Sequence, residues 1–143
     1  MLGEHLLGIY EKALDAEDDW YQRMEKAREL GFDFLEISID ETDERLSRIY
    51  GNDREIYQIQ DAARKAGVFL QSMCLSVHRR FPFGSADPEI RKKAADIMER
   101  ALVFADKIGI RVIQLAGYYV YYEPSTDESK KRYEEGMAWA ASR

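Results

Sequence analysis

Residues 75–84 include the side chains of this sequence that are best suited to contact a ligand. His78 is one of two histidines, and Arg79 and Arg80 follow it directly. A guanidinium group presents a fork of N–H donors that matches phosphate oxygens, and an imidazole can bind or orient a hydroxyl group. The apolar run at residues 68–75 predicts a buried strand just before them. Because α/β proteins bind ligands at the carboxyl ends of such strands, we predict substrate contacts from all three side chains.

Each of these three residues also has a simpler interpretation. His78 could be a loop histidine that is hydrogen-bonded to a backbone carbonyl. One arginine could contact the ligand while the other forms a surface ion pair with the acidic excess of the chain, and the sequence leaves open which is which. Zinc requires three or four ligands, so we do not expect a metal site built on His78 alone.

Four further residues are candidates for substrate contacts. Tyr10 and Tyr118 lie at the ends of the predicted first and fourth strands, where their rings could line a ligand pocket or simply pack. Lys12 follows the first strand and is a weaker candidate for a phosphate contact. Glu36 interrupts a buried strand, where a carboxylate needs a partner. It is either an acid of the site or a structural carboxylate paired with a base on a neighbouring strand.

The elements that position these residues follow one repeated plan. A helix ends, a capping glycine follows, and a buried strand begins at once; the three glycines are Gly31, Gly67 and Gly109. The predicted strands are residues 6–10, 32–39, 68–75 and 110–115. The predicted helices begin within residues 15–19, near residue 52, at Asp87–Pro88 and after a capping-box pattern at residues 125–128. Residues 40–48 are predicted to form a charged, solvated loop.

Composition and charge exclude several classes of protein. The chain is 45% hydrophobic and 34% charged, which is typical of a folded globular protein. Its net charge of −6 argues against a general binder of nucleic acid or anionic membranes. No apolar run approaches the roughly 20 residues of a membrane span. Because no signal peptide is visible and the single cysteine, Cys74, cannot form an internal disulfide, we expect a cytoplasmic protein.

Four βα units predict an α/β fold with four parallel strands, forming a single domain over residues 1–143. An open doubly wound sheet usually carries a glycine-rich turn after its first strand, and residues 10–13 contain no glycine. A complete TIM barrel needs about 250 residues, so we predict the N-terminal (βα)4 half of a TIM-like barrel, without strands five to eight. Such a half exposes two sheet edges and an apolar inner face. We therefore expect a homo-oligomer, most simply a dimer, or pairing with a separate C-terminal half-barrel.

Several segments resemble the L-ribulose/L-xylulose 5-phosphate 3-epimerases, which are also catalogued as hexulose-6-phosphate isomerases. The similarity runs in order and with matching spacing from about residue 6 to the end of the sequence. The matching segments are GIYEKAL (8–14), GFDF (31–34), DETDERLSR (40–48), SMCLS (72–76), HRRFP (78–82) and GIRVIQLAGY (109–118). This family belongs to the xylose isomerase-like barrels, which are relatives of the endonuclease IV type.

The resemblance implies an epimerase that depends on a divalent metal such as zinc or manganese. In this family two glutamates move a proton at C3 of a ketopentose phosphate through an enediolate, and the metal polarises the adjacent oxygens. The family places its metal ligands and catalytic glutamates on strands five to eight. No catalytic or metal-binding residue of this sequence is therefore assigned, no cofactor is expected in this chain, and the chain alone is expected to be inactive. In endonuclease-IV-like relatives, a histidine near the position of His78 binds metal.

Two functions follow from these observations. The first is that the chain is the N-terminal half of a sugar-phosphate isomerase or epimerase, acting on a ketopentose or ketohexulose phosphate and contributing substrate-contact loops. The second is a truncated, non-catalytic, oligomeric binding or scaffold module with at most weak affinity for sugar phosphates. Neither function involves a nucleic acid or a membrane.

Overall fold

A computed structural model describes residues 5–143 and contains an α/β fold with four strands and five α-helices. The strands are β1 (Gly8–Tyr10), β2 (Phe34–Ile39), β3 (Phe69–Leu75) and β4 (Val112–Leu115). The helices are α1 (Trp20–Glu29), α2 (Asp43–Ser47), α3 (Asp53–Ala66), α4 (Pro88–Ile108) and α5 (Asp127–Ala141). Three short 3₁₀ turns lie at Glu11–Ala13, Arg48–Tyr50 and Ser76–Arg79.

The four strands form one sheet in the order β1-β2-β3-β4. β1 is parallel to β2, with Gly8 opposite Phe34 and Tyr10 opposite Glu36. Each later strand is reached through a helix, which is the crossover that parallel neighbours require. The predicted fold class, an α/β chain with four parallel strands, is confirmed.

The three glycines of the repeat adopt the left-handed conformation, with φ angles of 89° at Gly31, 70° at Gly67 and 87° at Gly109. A side chain would be strained at such angles, so glycine can close a helix and start the next strand within two or three residues. The predicted helix ends are confirmed at all three positions. The repeat in the sequence is therefore a repeat of backbone geometry.

Two helices begin at reciprocal capping boxes. Asp19 caps α1 by accepting a hydrogen bond from the backbone N–H of Gln22, and Asn52 caps α3 by accepting one from Glu55. In both, the side chain of the third helical residue accepts the backbone N–H of the cap. These caps confirm the predicted starts of α1 and α3.

Helix α5 also begins at a capping box, but one residue later than predicted. Thr126 is the cap, and its side chain accepts from the backbone N–H of Ser129 at 3.1 Å. The hydroxyl of Ser129 in turn accepts the backbone N–H of Thr126 at 2.8 Å. The predicted pattern at residues 125–128 was wrong because a serine, and not a glutamate, completes the box.

The predicted charged loop at residues 40–48 contains the short helix α2. Asp40 accepts hydrogen bonds from both the backbone N–H and the hydroxyl of Thr42, at 2.9 and 2.7 Å. Thr42 then caps α2 by accepting the backbone N–H of Arg45. The loop prediction was wrong because these local side-chain bonds start a helix that charge composition does not reveal.

The described residues divide into two compact units. The first unit contains the chain up to Ser38 together with Gly51–Cys74 and Ala105–Gln114. The second unit contains Ile39–Tyr50, Leu75–Phe104 and Leu115–Arg143. The expectation of a single domain over residues 1–143 stays a prediction.

Each unit has its own apolar core. In the first unit α1 packs against α3, and its buried side chains include Met24, Leu35, Ile37, Ile56, Ile59 and Met73. In the second unit, one face of α4 is buried together with Val77 and His78 of the 3₁₀ turn after β3 and with Leu46 and Ile49. Its buried side chains include Leu46, Val77, Phe83, Ala94, Ile97 and Phe104.

Gly84 lies at the tightest backbone contact of the second unit. Its N–H donates a hydrogen bond to the backbone oxygen of Tyr119 at 3.0 Å. A Cβ atom at Gly84 would overlap that oxygen and would lie 2.7 Å from the backbone oxygen of Ser129. Glycine is therefore required for the segment before α4 to approach the segment after β4.

We predict that Gly84→Ala lowers the free energy of unfolding by about 1–3 kcal/mol, because the new methyl group forces backbone carbonyls apart. Urea unfolding followed by circular dichroism would measure it. Gly117→Ala is the matched control, since a Cβ at Gly117 meets nothing within 4 Å. Equal stability of the two variants would contradict the assigned contact.

Candidate functional site

Side chains from the segments that follow β2 and β3 meet in the second unit. Arg80 donates through Nη1 to the carboxylate of Asp43 at 2.7 Å and to the backbone oxygen of Glu41 at 3.1 Å. Nη1 of Arg79 lies 3.9 Å from Oε2 of Glu41. The two consecutive arginines therefore both contact the acidic segment at the start of α2.

Tyrosines that follow β4 complete this group. The guanidinium carbon of Arg79 lies 5.7 Å from the ring centre of Tyr118 and 5.1 Å from that of Tyr121. These are cation–π distances. Tyr118 and Tyr121 are in edge contact with centres 4.9 Å apart, and Tyr121 contacts Tyr122 in the same way at 4.8 Å. We call this group the arginine cluster; its members are Glu41, Asp43, Arg79, Arg80, Tyr118, Tyr121 and Tyr122.

Glu41 joins the tyrosines to the arginines. Its Oε1 accepts a hydrogen bond of 2.8 Å from the hydroxyl of Tyr122, while its Oε2 faces Arg79. The bond to the Glu41 carboxylate raises the pKa of Tyr122, which therefore remains a neutral donor. The cluster combines two cations with two carboxylates, so its formal charge is balanced.

The two arginines differ in how their donors are used. Arg80 makes two hydrogen bonds through one nitrogen. Nε of Arg79, in contrast, is buried and has no hydrogen-bond partner among residues 5–143. A buried donor without an acceptor is uncommon in folded proteins and costs free energy.

His78 lies in the 3₁₀ turn after β3 and is 7% exposed. Its Nε2 is 3.1 Å from the backbone oxygen of Ala94, and its ring centre is 5.0 Å from that of Phe83. Since a carbonyl oxygen only accepts, Nε2 carries the proton. This is the geometry of the simpler interpretation, a histidine bonded to a backbone carbonyl. A substrate contact by His78 stays a prediction.

Burial lowers the pKa of His78 to about 4, and the hydrogen bond to Ala94 opposes that shift only in part. The imidazole is therefore neutral at neutral pH. In this state it supports the turn that carries the two arginines by joining that turn to α4.

Three predicted site residues lie in the first unit. The hydroxyls of Tyr10 and Ser38 are hydrogen-bonded at 2.8 Å, and Nζ of Lys12 lies 6.0 Å from the ring centre of Tyr10. Glu36 accepts a hydrogen bond of 2.8 Å from the hydroxyl of Ser72 on β3. The partner of Glu36 is therefore a hydroxyl group on a neighbouring strand. The interpretation of Glu36 as a structural carboxylate expected a basic side chain at this place. The predicted substrate contacts of Tyr10, Lys12 and Glu36 stay predictions.

Glu11 is a buried carboxylate of the first unit that the sequence did not reveal. It is 2% exposed, and its Oε2 accepts the backbone N–H of Ser38 at 2.7 Å. Nη1 of Arg23 lies 3.7 Å from Oε1 of Glu11, and Arg23 also donates to the backbone oxygens of Asp15 and Ala16. Nothing in the spacing of Glu11 and Arg23 distinguishes this pair from surface charges.

Of the seven predicted substrate residues, the structure brings Arg79, Arg80 and Tyr118 together in the arginine cluster. His78 is in the same unit, and the other three are in the first unit. The sequence analysis missed Glu41, Asp43, Tyr121 and Tyr122 as members. Their signals were present as an acidic run after β2 and a tyrosine-rich segment after β4, but only folding pairs them with the arginines.

Comparison with known protein families places the fold. The family described as "Xylose isomerase-like TIM barrel" matches residues 24–143. The chain belongs to this family. Its four-stranded sheet is that of half a xylose isomerase-like barrel, which confirms the predicted architecture.

Two curated relatives are similar in sequence to this chain over most of its length. An L-ribulose-5-phosphate 3-epimerase of Salmonella heidelberg (strain SL476) is 52% identical over 131 residues, covering 92% of this chain and 46% of that protein. A putative L-ribulose-5-phosphate 3-epimerase of Escherichia coli (strain K12) is 51% identical over 136 residues, covering 95% and 48%. The chain thus spans about half the length of the curated relatives it matches, and the predicted resemblance to these epimerases is confirmed.

A solved structure of another epimerase has a similar fold. The D-psicose 3-epimerase of Clostridium cellulolyticum H10, solved with D-tagatose, superposes with a TM-score of 0.76 at 26% identity. The superposition covers 96% of this chain and 48% of that one.

The described residues of this chain do not form a set of ligands that fits a metal ion. Residues 5–143 contain no group of three or more histidine, cysteine, aspartate or glutamate side chains that could hold a metal ion. No reaction step is therefore assigned to a metal held by these residues. The same residues contain no helix long and apolar enough to cross a membrane.

The buried His78 predicts a specific dependence of stability on pH. Its pKa is about 4 in the folded chain and 6.5 in a model peptide. Between these values the unfolded chain binds a proton that the folded chain does not. The free energy of unfolding should therefore fall as the pH drops below 6.5, by up to about 1.4 kcal/mol per pH unit until about pH 4.

Urea unfolding between pH 7.5 and 4.5 would measure this dependence. His5→Gln, which leaves His78 as the only imidazole, is expected to retain the His78 contribution, and His78→Gln is expected to lose it. Carboxylate titration is common to both variants and cancels in the comparison. An NMR titration of His5→Gln that places the pKa of His78 near 6.5 would refute the burial argument.

Proposed function

We propose that this chain is the N-terminal half of a cytoplasmic sugar-phosphate 3-epimerase that acts on a ketopentose phosphate such as L-ribulose 5-phosphate. The observation that carries the proposal is the 52% identity, over 92% of the chain, to a protein named L-ribulose-5-phosphate 3-epimerase. A ketohexulose phosphate is the alternative substrate of the same chemical class. The chain contributes substrate-contact loops.

The functional groups of the arginine cluster support this assignment. A sugar phosphate offers oxyanions to a guanidinium group and hydroxyls and C–H faces to aromatic rings. Arg79 and Tyr118 supply both kinds of group in one place, with the ring centre 5.7 Å from the guanidinium carbon. Epimerisation itself needs an acid and a base on opposite faces of C3, and a divalent metal such as zinc or manganese is proposed for the complete barrel.

We predict that the pure chain, with added manganese or zinc, does not interconvert L-ribulose 5-phosphate and L-xylulose 5-phosphate. Turnover should appear when it is refolded together with the segment of the Salmonella relative that it does not match. A coupled assay for L-xylulose 5-phosphate would measure both. Clear turnover by the chain alone would disprove the proposal that catalysis requires the C-terminal half of the barrel. A folded but inactive mixture would disprove the epimerase assignment.

An apolar groove in the first unit favours the second function, an oligomeric binding module. The groove has a volume of about 470 Å³. It is lined in part by Leu6, Phe69 and Val112, which are 55%, 61% and 51% exposed. Val112 belongs to β4, the last strand in the sheet order. We propose that a second copy of this chain covers the groove.

We predict that the chain sediments as a dimer and that Phe69→Asp shifts it to the monomer, because a carboxylate in an apolar contact must be desolvated. Sedimentation velocity would measure the shift. Val103→Asp is the control, since Val103 is 55% exposed on α4 and does not line the groove. A monodisperse wild-type monomer that binds no apolar dye would contradict self-association.

A further inference from the structure

We propose that Arg79, and not Arg80, binds the phosphate group of the ligand, and that this phosphate displaces the carboxylate of Glu41. The inference rests on the proposed function for the identity of the sugar phosphate. It assigns opposite roles to two neighbouring arginines that the sequence could not distinguish. It also assigns a role in affinity to Glu41.

Arg80 is already committed to protein acceptors. Its Nη1 donates to Asp43 at 2.7 Å and to the backbone oxygen of Glu41 at 3.1 Å. A phosphate would have to break the ion pair with Asp43 to engage this nitrogen. Arg80 therefore acts as a tether that holds the start of α2 against the turn after β3.

Arg79 is held in place, but one of its N–H donors lacks a hydrogen-bond acceptor. Tyr118 and Tyr121 contact its guanidinium through their rings, and Tyr118 is also a hydrogen-bond partner of this side chain, so its orientation is restricted. Its Nε is buried and has no acceptor in the part of the chain that the structure describes. Since buried donors are almost always paired in folded proteins, the missing acceptor is expected to come from a ligand.

Glu41 is a weak competitor for Arg79. The separation of 3.9 Å between Nη1 and Oε2 is too long for a hydrogen bond, and both side chains are about one-third exposed, at 37% and 30%. A phosphate carries more charge than a carboxylate and matches the guanidinium fork. Once the phosphate is bound, the negative charge of Glu41 opposes it.

This arrangement predicts a distinctive effect of Glu41→Gln. The amide oxygen of glutamine can still accept the hydrogen bond from Tyr122, so the segment stays attached to the tyrosines. The competing charge is removed. Affinity for phosphate-containing ligands should therefore increase, which a purely structural role for Glu41 would not produce.

Isothermal titration calorimetry of the full chain would test the assignment with inorganic phosphate, L-ribulose 5-phosphate and unphosphorylated L-ribulose. We expect Arg79→Lys to weaken binding of both phosphate-containing ligands by about tenfold or more, since a lysine cannot reproduce the fork. Arg80→Lys, which keeps the ion pair with Asp43, compares the two arginines and should weaken binding much less than Arg79→Lys does. Arg64→Lys is the control and should leave the affinity unchanged, because Arg64 lies outside the arginine cluster and its side chain is 80% exposed. Glu41→Gln should strengthen binding by about threefold or more, and no variant should change the affinity for L-ribulose.

NMR gives a readout that is independent of sugar recognition. The Nε–H resonance of Arg79 should be assigned by its loss in Arg79→Lys, and it should shift on addition of inorganic phosphate. Loss of affinity in Arg80→Lys with none in Arg79→Lys would overturn the assignment. Unchanged or weaker binding by Glu41→Gln would overturn the displacement.

The remaining outcomes separate this inference from the proposed function. If L-ribulose 5-phosphate binds and Arg79→Lys has no effect, the inference fails and the epimerase assignment survives. If phosphate binds at Arg79 but L-ribulose 5-phosphate binds no more tightly than phosphate, the site is supported and the substrate assignment fails. If no phosphate-containing ligand binds the wild-type chain at millimolar concentration, the inference is wrong.

Discussion

The contact between the arginines after β3 and the acidic segment after β2 is the interaction on which the candidate site depends. The structure gives the two consecutive arginines different partners: Arg80 pairs with Asp43, and the guanidinium group of Arg79 contacts the rings of Tyr118 and Tyr121. The first arrangement fixes the start of α2, and the second fixes a guanidinium group in a restricted orientation. The balanced charge of the cluster follows from this separation, in a chain whose net charge is −6.

The turn that carries the arginines is fixed by contacts that are individually ordinary. His78 donates from the turn to the backbone of Ala94 in α4, and Gly84 lets the following segment reach the backbone of Tyr119. Phe83 packs on the ring of His78. Because both polar contacts end on backbone oxygens, they position the turn without using the guanidinium groups of Arg79 and Arg80. Their burial keeps the imidazole neutral, so the positive charge of this turn is confined to the two arginines.

The fold was predictable from the sequence because its signals are local. The glycines after α1, α3 and α4, with φ between 70° and 89°, and the capping residues before α1 and α3 act over three or four residues, and they placed the strands and most helix starts. The short helix α2 was missed because Asp40 and Thr42 start it through side-chain bonds that composition does not show. The site was predictable only in part. Nothing in the spacing of Arg79 and Arg80 shows which one pairs with Asp43, and the burial of His78 and Glu11 depends on residues distant in sequence.

A balanced cluster in an acidic chain has a consequence for selectivity. The overall charge of −6 repels anions at long range, and salt limits that repulsion to about 8–10 Å. In the proposed site, an anion gains affinity within the reach of Arg79, where Glu41 competes with it. A monovalent carboxylate gains little by replacing another carboxylate, whereas a phosphate near neutral pH carries more charge and more acceptor oxygens. Under this proposal, the carboxylate of Glu41 lowers the affinity for every anion and also makes the site discriminate in favour of phosphate.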